Sequence, residues 1–166
     1  MMSKSSMFHF AILFTLTIGA TAASAELQIE RDVSIVDDAG GSLVMLTVAV
    51  RDDLGGESTT TATFNDFQPD PDNRRVSGEV VRERTRSAER VENRFNGALD
   101  IVKPSNGDQP ERLNSLVFEG VTLLRDGEGP VLSGQVIYNG EARDVADLPR
   151  PALRVLSRLL RFFHFS

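Results

Sequence analysis

The chain has 166 residues, a formal charge of −6, no cysteine and no tryptophan. Without thiols it has no disulfide, no cysteine nucleophile and no lipid-attachment cysteine after a leader, and its acidic balance offers no broad basic footprint for nucleic acid. Its two histidines, His9 and His164, leave Ser-His-Asp hydrolysis and His-rich zinc sites short of their usual groups.

The first 25 residues read as a secretory signal peptide. Lys4 precedes an apolar and small-residue run from Phe8 to Ala23, which closes on Ala23-Ser24-Ala25, the small-x-small pattern that leader peptidases cut. Cleavage after Ala25 would start the mature chain at Glu26, outside the cytoplasm, with a bacterial periplasm the natural compartment. The run is shorter than the roughly 20 apolar residues of a stable span. The remaining 141 residues divide into an antiparallel β domain, 26–147, and a basic amphipathic helix, 148–166. Charge is uneven between them: the final segment carries four arginines and no acid, so residues 26–147 carry −11.

Leu27, Ile29, Val33 and Ile35 alternate with polar residues, the pattern of a half-buried strand. Asp37 to Ser42 supplies a tight turn, and Leu43 to Val50 is a nearly continuous apolar run, read as a well-covered second strand. After the Asp52–Gly56 turn, the threonine-rich stretch Ser58 to Phe67 favours a third strand, ended by the Pro69 and Pro71 loop. Val76 to Arg86, with Arg82, Arg84 and Arg86 on one face, and Val91 to Val102 are further extended candidates. Helix competes from Glu79 to Asn93, where Arg and Glu are spaced for ion pairs. Leu113 to Leu124 and Val131 to Tyr138 complete the series. Short Gly/Asp turns between strands imply an antiparallel meander that closes into a small barrel or sandwich of about seven strands.

A weak echo runs through this domain. Phe64-Asn65-Asp66-Phe67 precedes Val76-Ser77-Gly78-Glu79-Val80, Phe118-Glu119-Gly120-Val121 precedes Leu132-Ser133-Gly134-Gln135-Val136, and Phe95-Asn96-Gly97 is a third instance. It fits either a duplicated strand unit or the chance recurrence of aromatics and bulge formers in β chains. Phe64, Phe67, Phe95 and Phe118 fall on different strands and are candidates for lining an apolar ligand site, or for plain core.

The carboxyl-terminal segment carries the sharpest local pattern. Asp147 is a candidate cap, the prolines suit a first turn, and strong helix formers follow. At 100° per residue, Arg150, Arg154, Arg158 and Arg161 fall within an arc of about 80°. Val155, Leu156, Leu159, Leu160, Phe162 and Phe163 fill the opposite face. Such a helix either covers the sheet with its apolar face or lies on an anionic bilayer, with the arginines, Phe162 and Phe163 in contact with it.

These observations predict an exported, non-enzymatic envelope protein with a binding or structural role, which holds an apolar ligand or associates with an anionic membrane surface or another envelope protein. No cofactor, metal or catalytic residue is indicated, and nucleic acid is not an expected partner. One alternative is a carboxylate-dependent hydrolase using Asp66, Asp70 and Asp72. Another is an interaction module that pairs through Val76–Arg86 as an edge strand.

Overall fold

A computed structural model describes residues 27–52, 55–69, 74–105 and 110–163. The signal-peptide reading of residues 1–25 lies outside the described residues. Eight strands follow in chain order: β1 (Leu27–Val36), β2 (Ser42–Arg51), β3 (Gly55–Phe67), β4 (Arg75–Ser87), β5 (Val91–Lys103), β6 (Arg112–Asp126), β7 (Gly129–Tyr138) and β8 (Glu141–Asp144). All pair antiparallel with their sequence neighbours in one open sheet, β1 to β8. A 3-10 turn at Val145–Asp147, capped by the Asp144 side chain on the Ala146 amide, leads into helix α1 (Arg150–Phe162).

The expected barrel or sandwich is therefore replaced by a single open sheet, and the strand count rises to eight because the four-residue β8 carries no apolar alternation to announce it. Residues 79–93, where helix competed, contain no helix: Glu79–Ser87 closes β4, 88–90 turn, and Val91 opens β5. β-branched valines and cross-strand pairing to β3 and β5 outweigh local ion-pair propensity there.

One face of the sheet carries the core. Register places Leu43 opposite Phe64, Met45 opposite Ala62, Val76 opposite Ile101, Leu99 opposite Leu116 and Phe118 opposite Val136. All of these are buried in one cluster that also takes in Val145, Leu148, Ala152, Leu156 and Phe163. The other face has no covering layer among the described residues. Thus β2 is not covered on both sides: Leu43 is 0% exposed, whereas Leu46 on the outer face is 50% exposed.

The echo in the sequence marks a crease. Asp66, Gly78, Gly97, Gly120 and Gly134 all have positive φ and occupy successive strands β3 to β7. Register shifts accompany it on β3, on the β5–β6 pair and on the β6–β7 pair. At Gly97, φ is 138° and a Cβ would meet the Glu79 carbonyl oxygen at 2.2 Å; at Gly78, φ is 122° and a Cβ would meet Ala98 oxygen at 2.3 Å. Strands cross closely here because no side chain intervenes, and such glycine kinks and bulges curve a sheet. Asp66 tolerates its positive φ with help from Ser77, whose hydroxyl accepts from the Asp66 amide at 3.1 Å and donates to its carboxylate at 3.3 Å.

One helix serves many strands. In a flat sheet β3 and β7 would lie about 19 Å apart, a span comparable with the roughly 20 Å length of a 13-residue helix. Phe162 meets Phe67 of β3, while Leu153, Leu156 and Leu160 border the same crevice as Leu132 of β7.

Candidate functional site

The inner face of the sheet is a trough with two chemically distinct ends. At one end it is apolar and filled by α1. Phe64 and Phe67 pack at 6.3 Å between ring centres, Phe67 meets Phe162 edge-on at 5.6 Å, and Phe95 meets Phe163 at 5.6 Å. All four phenylalanines singled out in the sequence thus share one buried cluster with α1. The strand alternation that places them there is local, but the register that unites them is not.

Along the flank of the helix an apolar crevice of about 420 Å³ remains, lined by Leu132, Leu153, Leu156 and Leu160, with Arg150 and Ser157 at its margin. It exists because β8 pairs with β7 only over Gln135–Tyr138, so nothing among the described residues walls off the Gly129–Ser133 stretch beside the helix.

At the other end the inner face turns basic. Arg82 lies opposite both Thr60 and Phe95, and it is 3% exposed. One of its guanidinium nitrogens donates to Thr60 Oγ1 at 2.9 Å and the other to the Phe163 carbonyl, while the Thr47 and Thr60 hydroxyls sit 3.0 Å apart. Burial, and then the neighbouring Arg84, lower the Arg82 pKa to about 10. Arg84 lies two residues further along β4 and Arg86 two beyond that, on the same face, with Arg51 from the end of β2 and Arg125 from the end of β6. Burial holds Arg84 below its ordinary pKa, followed by repulsion from Arg86, Arg51 and Arg125.

A cleft of about 360 Å³ opens at this end, lined by Thr47, Ser58, Arg51, Arg84 and Arg86, with Asp52 and the first residues of β3, Gly55 to Glu57, at its margin. The alternation of Arg82, Arg84 and Arg86 along β4 signals one basic face in the sequence. Arg51 and Arg125, at the ends of distant strands, carry no signal until register brings them together.

The remaining candidates are dispersed. Phe162 and Phe163, expected to touch either sheet or bilayer, face the sheet here; Arg150 is exposed, and the side chains of Arg154, Arg158 and Arg161 lie outside the described residues. Asp66 sits in the β3 bulge bound to Ser77, and Asp70 and Asp72 lie outside the described residues. Among the described residues no group of three or more His, Asp or Glu side chains is placed to hold a metal. Val76–Arg86 cannot serve as an edge strand, because β4 is paired on both sides, by β3 and β5. The edges of the sheet are β1 and β8.

No family model matches the chain, and neither the curated proteins nor the solved structures yield a match. No described helix is long and apolar enough to cross a membrane.

Proposed function

We propose that this chain is an exported envelope protein that binds an apolar chain along the inner face of its sheet, with α1 as the element that shares that face with the ligand. The observation that carries this reading is the crevice between α1 and β7, about 420 Å³ and bordered by four leucines. Its volume falls within the range of small-molecule sites, and its lining is of the apolar kind that holds acyl or terpenoid chains. The leader-like first 25 residues support an address outside the cytoplasm. The dispersal of acidic side chains and the scarcity of histidine favour binding over catalysis.

Native mass spectrometry of the protein released from its own envelope tests the proposal, with a co-purifying apolar species as the expected result. In a parallel titration, a fluorescent fatty acid should bind the wild type and lose affinity in Leu132→Trp, which fills the crevice. Only unliganded protein, with no fatty-acid binding by the refilled wild type, would overturn it.

A second reading, association with an anionic bilayer, is favoured by the arginine arc of α1 alone. It requires Phe162 and Phe163 to leave their partners Phe67 and Phe95. Flotation with liposomes, with and without anionic lipid, tests it; equal failure to float in both sinks it.

A further inference from the structure

The basic end of the trough stands against the charge of the whole molecule. Residues 26–147 carry −11, yet every charged side chain that register places on the inner face beyond the Thr47–Thr60–Arg82 row is arginine: Arg51, Arg84, Arg86 and Arg125. Three of these, Arg51, Arg84 and Arg86, border one cleft, where their like charges repel one another and a bound anion relieves the repulsion. Among the described residues the acids at the cleft margin are Asp52 and Glu57, and the Asp52 carboxylate also accepts from the Gly55 amide at 2.8 Å. Arg84 adds a specific demand: its Nε is buried and has no acceptor among the described residues. A buried N–H of this kind is satisfied by an incoming oxygen, and a guanidinium fork matches tetrahedral oxyanions with two parallel hydrogen bonds. The Ser58 hydroxyl lies in the same cleft as a further donor.

From this arrangement we infer that the cleft formed by Arg51, Arg84, Arg86 and Ser58 is a binding site for a phosphate-class oxyanion, either free or as the head of an amphiphile. Arg82, one row further along the inner face and outside the cleft lining, directs its two terminal nitrogens to Phe163 and Thr60 and is not a ligand of the site. The site does not require α1 to leave the trough, so it stands or falls separately from the apolar-ligand reading.

Arginine side-chain Nε–Hε NMR signals of the full chain, followed during three titrations, test the inference. The probes are inorganic phosphate, glycerol phosphate, and phosphatidylcholine vesicles with and without an anionic phospholipid, each against sodium chloride at matched ionic strength. The Arg84 signal should shift with phosphate or glycerol phosphate if the anion is taken free, and only with anionic vesicles if a lipid head is required. Arg84→Gln and the exposed Arg86→Gln should each weaken binding roughly tenfold. Arg75→Gln, at the far end of β4, should leave it unchanged. Absence of any response through the tens-of-millimolar range, an equal response to chloride, or an equal loss in Arg75→Gln would overturn the assignment. Arg86→Gln keeps the test valid should Arg84→Gln fail to fold, because Arg86 is exposed.

Discussion

Arg82 of β4 donates to the main-chain carbonyl of Phe163, and its guanidinium lies 5.4 Å from the centre of that residue's ring. The contact joins the middle of the sheet to the end of α1, where unpaired carbonyls and the helix dipole favour a cation. It also explains how a buried arginine persists in the core: the Phe163 carbonyl and the Thr60 hydroxyl accept its hydrogens, and an aromatic face neutralises part of its desolvation.

Replacing Arg82 by Met, which conserves much of the volume, takes the guanidinium donor from the Phe163 carbonyl and the Thr60 hydroxyl, and Thr60 keeps Thr47 as its remaining partner. The expected loss of stability is about 1–3 kcal/mol in urea denaturation. Because the folded-state pKa of Arg82 is lowered to about 10, the folded chain holds fewer protons than the unfolded one from about pH 10 up to the ordinary arginine range. The desolvation penalty is thus fully present below pH 10 and relieved as pH rises through that window. The stability difference between wild type and Arg82→Met should accordingly be flat from neutral pH to about 9 and move in favour of wild type above 10. A difference that varies around neutrality would contradict this account of the site.

Gly97→Ala should destabilise the protein by more than about 1 kcal/mol, since the new methyl meets the Glu79 oxygen at 2.2 Å and φ is 138°. Gly127→Ala, with nothing within 4 Å of the added carbon, should stay within about 0.5 kcal/mol of wild type. Equal effects in thermal or urea unfolding would mean that the crease is not strained in the way its geometry requires.

Leu43 and Leu46 test which face of β2 is inside. Leu43→Ala removes a fully buried side chain and should cost about 2–5 kcal/mol, whereas Leu46→Ala, half exposed on the outer face, should cost under about 1 kcal/mol. A large loss from Leu46→Ala would reveal a partner on the outer face of the sheet.

Asp37 closes one end of the sheet with a single carboxylate, accepting from the Ala39 and Gly41 amides at 2.8 and 2.9 Å and from Gln68 at 2.7 Å. Asp37→Ala should cost about 1–3 kcal/mol and raise amide exchange at Gly41 and Gln68 together. Exchange that rises at Gly41 alone would separate the turn from the end of β3.

Some of this architecture was legible before any coordinates. The period-two alternation of β1, the threonine-rich β3, the turn residues at Asp37–Gly41, and the breakers at Pro69 and Pro104 are local features, and each maps onto a strand or a loop. The arginine alternation on β4 is local too, because successive side chains of a strand point to opposite faces whatever lies beyond it. Whether the meander closes depends instead on cumulative twist and bulges. The same residues that read as faint repeats, Asp66, Gly78, Gly97, Gly120 and Gly134, become a crease only when register sets them side by side. Register likewise decides that Phe64, Phe67, Phe95 and Phe118 lie under α1, and that Arg51 and Arg125 join Arg84 and Arg86. The sequence by itself determined strands, turns and faces, through steric and solvation preferences acting over a few residues. Tertiary structure alone decided the open sheet, the helix-filled trough and the arginine cleft, because pairing and packing join residues distant along the chain.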